Sequence, residues 1–518
     1  MYSISGALDD GQVVVNTTDE QKVSLVLNNA RITSLTSAPI YVVNAEKTVI
    51  TLAAGTENYV TDAETSLFDD AESDEPKAAI FSHDDLTING EGSLTVTANA
   101  NNGIASQDDL KITGGPITPT AVNDGLKGKD SIAIKEGVIT ISAGGDGLQA
   151  HNDSDVEKGY IAIEGGTLHI TAGLDGIQAE TRLLVSGGDI SLTTGGGSGN
   201  SSMLAGWGLW GSNGDDAASA KGLKAGLDVT ITGGVITIDS SDDAIHSNSR
   251  LTLDGGTITL ASGDDGLHAD ATLEISGGDL NITQSYEGLE SAVITLSGGT
   301  LHLVASDDGI NVAGGNDGSA LNGRPGQNEF AASDEDHLYI NGGTLVVDAG
   351  GDGLDSNGYF DMTGGLVIVN GPTNNGNGPL DYSGTFNISG GTLVAVGSSG
   401  MAQAPSSSST QYSVMYNFDL AQPAGTMVHI ETAAGEEVLT FVPPKDYQSV
   451  LLSSPALANG STYVVYTGGS STGPATDALH TGGAYTAGTE VASLAISSMV
   501  TSNGGQRGGP GGGPGGRP

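Results

Sequence analysis

Cysteine is absent from this chain of 518 residues. That excludes disulfide staples, thiol catalysis and thiolate metal centres, so any bound metal must be held by oxygen or imidazole. Basic residues are scarce: 17 Lys+Arg stand against 62 Asp+Glu, a formal net charge of -45 at pH 7. Such a chain repels nucleic acid and anionic membranes, attracts cations, and loses stability to self-repulsion unless cations neutralise it. Aromatics make up 4%. Acidic chains poor in aromatics are often disordered, but here 37% of residues are hydrophobic and regularly spaced, so disorder is expected only at the end. Apolar runs long enough to span a membrane are missing. Met1-Tyr2-Ser3-Ile4-Ser5 also lacks the basic and apolar regions of a signal peptide. The chain is therefore either cytosolic or trimmed, and its composition favours trimming from an extracellular or cell-surface protein.

What is present is a repeat. Residues 251–268 and 271–290 align without gaps, and anchoring on the acid before the third glycine gives Asn102, Asp124, Asp146, Asp175, Lys221, Asp243, Asp265, Glu287, Asp308 and Asp352. Most steps are 21 or 22 residues. Each unit reads as strand, Gly-Gly turn, strand, acidic turn, short strand, with apolar residues alternating as half-buried strands require. No unit buries its apolar face alone, but stacked units share one core. This pattern predicts an all-β, right-handed parallel β-helix, a solenoid of about 22-residue coils, with a small C-terminal β cap. The expected organisation is irregular opening coils at 1–80, regular coils at 81–400, a β-rich cap at 401–503 and a disordered Gly/Pro tail at 504–518.

Residues one period apart stack in such a fold, about 5 Å apart. Asp243, Asp265, Glu287 and Asp308 then form one row, continued by Asp352, and Asp242, Asp264 and Asp307 a second beside it. A third row holds His246, His268, Glu290, Asn311 and Asp355. Like charges at that spacing repel unless some stay protonated or a cation sits between them. Hard oxygen ligands favour calcium, which takes six to eight oxygens. The candidate metal residues are Asp242, Asp243, Asp264, Asp265, Glu287, Asp307, Asp308, Asp317, Asp352 and Asp355, with Asp317 in the turn-like run 314–319. The alternative is that acidic turns keep a surface solvated. Lys221 takes an acid's place, and Lys224 and Lys127 fall in the third row. Lys221 or Lys224 is either a general base for β-elimination or a charge neutraliser. His246 and His268 are either stacked structural imidazoles or functional groups.

Insertions at 151–159, 195–219 and 312–335 adjoin the acidic turn and mark that edge as the working face. The middle one holds Trp207 and Trp210, which either stack on sugar rings or cover the core edge. Tyr286 is a weaker candidate for sugar contact. Signatures of EF-hand, P-loop, dinucleotide-binding and serine-hydrolase type are missing.

The successive Asp-Asp-Gly-[Leu/Ile]-His/Asn turns, with the runs 314–319, 351–358 and 372–382, resemble a clostridial family of secreted carbohydrate-binding β-helix proteins over residues 10–500. The resemblance implies a calcium-loaded protein that binds cellulose-like and pectin-like polysaccharides outside the cell. It also implies structural similarity to family 9 pectate lyases without established catalysis. Tyr286-Glu287 in place of Asp-Asp, and Lys221 in place of an acid, depart from that pattern. The expected function is non-catalytic, calcium-dependent polysaccharide binding; the alternatives are a pectate-lyase-like enzyme and a structural surface adhesin.

Overall fold

The computed structural model describes residues 1–17, 21–65, 75–201, 219–313 and 333–503. Among these the architecture is all-β, and the one helical turn is a 3-10 turn at Ser198–Asn200. No helix is long and apolar enough to cross a membrane. The chain divides into two compact units, Met1–His268 and Ala269–Pro518.

In the first unit the strands pair in parallel with their equivalents in the following repeat. Val235–Ser240 buries Ile236 and Ile238 and exposes Val235, Thr237 and Asp239. It lies against Thr257–Ser262, with Ile236 beside Ile258 and Ile238 beside Leu260. Strand alternation thus becomes one continuous core. A single core row runs Ile40, Ile80, Ile104, Leu126, Leu148, Ile177, Leu223, Ile245, in register and each fully buried. Each such side chain contributes about 1.5–3 kcal/mol of transfer free energy. The second glycine of the Gly-Gly turn carries a backbone requirement. Gly256 has φ 99°, and a Cβ there would lie 3.1 Å from the carbonyl oxygen of Gly234 in the repeat before.

The expectation of a right-handed parallel β-helix of regular coils with a small cap is corrected by the pairing. Lys22–Thr33 pairs with both Lys47–Leu52 and Glu57–Thr61. Asp109–Ala121 pairs with both Asp85–Gly90 and Ser93–Ala98. Lys47–Leu52 joins Asp85–Gly90, and Glu57–Thr61 joins Ser93–Ala98. These six strands close into a parallel ring, with many further strands outside it. The cause is local. Lys22–Thr33 passes its turn at Asn29 (φ 56°), and Asp109–Ala121 passes Gly114 and Gly115, without a break in the strand. One strand then serves two faces, which a period in the sequence does not reveal.

In the second unit the parallel pairing runs through Thr344–Ala349, Leu366–Asn370 and Thr392–Gly397. Phe360 and Phe386 stack beside it, ring centroids 3.8 Å apart. Thr392–Gly397 then pairs antiparallel with Tyr447–Ser453, which also takes Ser413–Gln422 antiparallel. The residues after 400 thus extend the preceding sheet. A six-stranded antiparallel sheet, which includes Val428–Thr432, Glu437–Phe441 and Thr462–Thr467, packs there. Val428, Phe441 and Tyr463 share a core with Ile368, Val394 and Val396.

Candidate functional site

In the first unit the row acids are wired to the backbone. The Asp146 amide donates to Asp124 Oδ1 at 3.1 Å and the Asp175 amide to Asp146 Oδ1 at 3.0 Å. The Lys221 amide donates to Asp175 Oδ1 at 2.8 Å and the Asp265 amide to Asp243 Oδ1 at 3.0 Å. Asn102 Oδ1 does the same for Asp124, at 3.1 Å, so the bond needs an acceptor and not a charge. The other oxygen, Oδ2, meets the residue three places on. Lys127 lies 2.8 Å from Asp124 and Gln149 2.5 Å from Asp146, whereas Asp175 meets Lys224, 49 residues on and 3.1 Å away. His246 Nδ1 lies 2.9 Å from Asp243 and His268 Nδ1 3.1 Å from Asp265. All five acids are buried.

Two groups in this unit have ligand atoms within 4.8 Å of one another: Asp242, Asp243, Asp264, and Asp243, His246, His268. The first already faces an ammonium. Lys221, 5% exposed, puts Nζ 2.6 Å from Asp243 and 3.1 Å from Asp242. Burial pushes the Asp243 carboxyl up, but Lys221 and then His246 outweigh it and hold that carboxyl well below its usual range. Burial first, then Asp265, Asp243 and Asp242, drive Asp264 well above it. The His246 and His268 rings lie 4.8 Å apart, each tied to its own carboxylate. Lys224 also contacts Ser219 Oγ at 3.1 Å.

The second unit repeats the backbone wiring and changes the rest. The Asp352 amide donates to Asp308 Oδ1 at 2.6 Å, and the Gly378 amide to Asp352 Oδ1 at 2.5 Å. A Cβ at Gly351 would fall 2.3 Å from Oδ1 of both Asp307 and Asp308, so the glycine leaves room for two carboxyl oxygens crowding one point. Three places beyond Asp308 and Asp352 stand Asn311 and Asp355, which are in register with each other and then with Asp381. Asn311 is 3% exposed, and its Oδ1 is buried without a hydrogen-bond partner. Among the described residues no cationic side chain pairs with Asp307, Asp308, Asp352, Asp355 or Asp381. Burial, then Asp355 and Asp352, pushes Asp308 well above its usual range; burial, then Asp381 and Asp352, does the same to Asp355. Asp352 is pushed up to about 7, chiefly by burial. These five acids and one amide offer oxygen only and lie near enough to raise one another, with neutral donors, Tyr286 and Gln403, on Asp307 and Asp381; among the described residues, the acid and imidazole groups with ligand atoms within 4.8 Å of one another lie elsewhere. Such a donor set suits a hard cation.

Glu287 is buried in the row, and Tyr286 donates to Asp307 Oδ2 at 2.6 Å, which commits its hydroxyl to a carboxylate. Trp207, Trp210 and Asp317 lie outside the described residues. Sequence reading missed Asp381. Leu380-Asp381-Tyr382 repeats Leu354-Asp355-Ser356, but Gly378-Pro379 replaces the Asp-Gly pair that anchors the period.

Known proteins resemble parts of this chain. The family model described as a carbohydrate-binding domain-containing protein matches residues 1–266, just over half of the chain. A carbohydrate-binding domain-containing protein of Acetivibrio thermocellus is 51% identical over 121 residues, which cover 23% of this chain and 42% of that protein. The chain thus spans less than half the length of this relative. A solved structure described as a polysaccharide lyase-like protein from C. thermocellum is 46% identical, covering 38% of this chain and 79% of its own, with a TM-score of 0.37.

Proposed function

The chain belongs to the carbohydrate-binding domain-containing family, and from that premise we propose a non-catalytic, calcium-dependent, extracellular binder of pectin-like or cellulose-like polysaccharides. The observation that carries the calcium part is the cluster of Asp308, Asn311, Asp352, Asp355 and Asp381. A buried amide oxygen lacks a donor there, beside carboxyls raised first by burial and then by one another's charge. A divalent cation satisfies both at once, because it coordinates the amide oxygen and removes the repulsion. When bound, the cation fixes this edge and offers open positions to glycan oxygens. With a chain charge of -45, an acidic glycan also gains from a bridging ion.

The lyase alternative needs a neutral amine able to reach a sugar proton. Lys221 is buried against Asp242 and Asp243, and Lys224 is held by Asp175 and Ser219. Both lysines act as neutralisers, which favours binding over catalysis. Residues 1–268 lack any other lysine at the acid position of the repeat.

The test is pull-down on polygalacturonate and on cellulose, with calcium or with excess chelator, while ultraviolet absorbance is followed. Retention in calcium that weakens about tenfold or more in chelator, with flat absorbance, is expected. Unchanged retention in chelator overturns the calcium role, and rising absorbance overturns the non-catalytic assignment. A protein retained by neither polymer in either condition removes the reading altogether.

A further inference from the structure

One face of the first unit stands apart by its lack of charge. Residues 93–98, 116–121, 138–143, 167–172 and 189–194 run in parallel, each stretch paired with the next. Their inward side chains, such as Ile117, Ile139, Leu168 and Ile190, are fully buried. On the outer side, Thr97, Thr120, Ser142, Thr171 and Thr193 form one column in register. Two residues earlier in each stretch, a second column holds Thr95, Thr118, Thr140, His169 and Ser191. The five stretches carry a single carboxylate, Asp189 at their border, and no lysine or arginine. Thr118, Thr120, Thr140, Ser142 and Thr171 are exposed, and among the described residues none of their hydroxyls has a hydrogen-bond partner.

An exposed sheet is ordinarily protected by charge, and the neighbouring outer face of the same unit is. There Arg182, Asp228 and Arg250 alternate in sign along one column, with Arg182 Nε 3.7 Å from Asp228. Lys47 Nζ likewise stands 3.7 Å from the Asp85 carboxylate opposite it. The fold therefore does not impose neutrality on an outer face. What the neutral face offers is two kinds of contact at fixed spacing. β-Branched threonine has few side-chain conformations, so its hydroxyl and methyl repeat about 4.8 Å apart between strands and about 6.6–6.8 Å apart between columns. Pro116 and Val138 add exposed apolar surface beside them. A neutral pyranose chain has the matching make-up, with hydroxyls along its edges and C–H groups on its faces. In a chain of net charge -45, an anionic polymer finds no counter-charge on this surface and a neutral one needs none.

We propose that this face binds a neutral, flat, β-linked polysaccharide of the cellulose class laid across the strands. Its hydroxyls meet the threonine and serine hydroxyls, its C–H faces meet the methyls and Val138, and no cation takes part. The inference rests on the carbohydrate-binding reading above and gives the neutral polymer a surface of its own. A remainder of cellulose retention then survives chelator, beside the larger calcium-dependent part assigned to the acid cluster of Asp308 to Asp381.

The experiment is a depletion isotherm of the full chain on microcrystalline cellulose and on polygalacturonate, in calcium and in excess chelator. The wild type is compared with the double variant Thr118→Val, Thr140→Val and with Thr140→Arg. Leu184→Arg puts the same arginine at an exposed position of the neighbouring face. Valine keeps the branched shape and strand preference of threonine and exchanges only the hydroxyl for a methyl, so the double variant folds as the wild type does. Wild-type retention on cellulose is expected to persist in chelator and to be indifferent to added salt. Thr140→Arg should weaken that remainder about tenfold or more by breaking the flat contact, and the valine pair about fivefold or more through two lost hydrogen bonds. Leu184→Arg should leave it unchanged. A remainder equal in all four proteins overturns the placement, and so does a loss as large in Leu184→Arg as in Thr140→Arg. No cellulose retention by the wild type in chelator, alongside calcium-dependent retention on polygalacturonate, overturns this face and leaves the proposed function standing. No retention on either polymer, with or without calcium, removes the proposed function itself.

Discussion

In the first unit the row three places beyond the acids holds donors and cations: Lys127, Gln149, Gln178, His246 and His268 follow acids, and Lys224, which follows Lys221, reaches back to Asp175. In the second, Asn311 and Asp355 stand in that place, with Asp381 stacked after them, and all three offer oxygen. The backbone role is common to both units, since Oδ1 accepts the next repeat's amide at Asp146 and Asp352 alike. What differs is the use of Oδ2. The turn therefore requires an acceptor, and its charge is a separate variable that the neighbouring row sets. A protein can hold one backbone geometry through many repeats while changing the chemistry of its edge from self-neutralised to cation-seeking.

The sharpest way to break that comparison is to remove the ammonium that neutralises the first unit. Lys221→Met leaves Asp243, 1% exposed, beside Asp242 without its nearest cation. Breaking a buried pair from one side costs about 3–5 kcal/mol, so the denaturant midpoint of the variant should fall clearly below that of the wild type. Added calcium should then restore part of the loss, because Asp242, Asp243 and Asp264 already bring ligand oxygens within 4.8 Å of one another. A variant as stable as the wild type in chelator removes the view of Lys221 as a built-in counter-ion.

A second, smaller effect sharpens the comparison from the other side. Asp355→Asn removes one charge from the uncompensated cluster and should lower calcium affinity by about 10–100-fold in calorimetric titration. Asp146→Asn, in the first unit and away from that cluster, should change it by less than about twofold. Equal losses in both variants would mean that calcium responds to the total charge of the chain and not to the second unit's cluster.

Much of this was legible in the residues. The period of 21 or 22 residues located the acid row, its neighbours and the all-β class, because alternation and Gly-Gly turns are local properties. The three rows of side chains follow from counting. The ring of six strands did not follow, because a strand that carries Asn29 or Gly114-Gly115 through its turn looks in sequence like two strands. The opposite roles of Asp243 and Asp308 were equally hidden. Both are the second acid of an Asp-Asp pair at the same place in the period, and only the partners, read in three dimensions, separate one already paired with Lys221 and His246 from one facing Asp352 and Asp355. Asp381 escaped because Pro379 breaks the anchor motif while the backbone register continues unchanged.

The smallest expected effect concerns a row acid of the first unit that has no cationic partner. Asp146 is bonded by Gln149 rather than by a lysine, and burial, then Asp175 and Asp124, pushes its carboxyl up to about 7. A carboxyl raised in the folded state holds its proton where the unfolded chain has already released it, between the ordinary value of 3.8 and about 7. Folding then binds protons, so this group's contribution to stability declines as pH rises through that window and levels off above it. Asp146→Asn keeps the acceptor for the Asp175 amide and removes the charge, much as Asn102 serves Asp124. The variant should gain on the order of 1 kcal/mol over the wild type at pH 8, after screening by solvent, and nothing at pH 4. Thermal midpoints measured in chelator from pH 4 to 8 should therefore start together and diverge. If they stay parallel, the Asp146 charge carries no cost, and Gln149 alone neutralises this row as well as Lys221 or His246 does in the others.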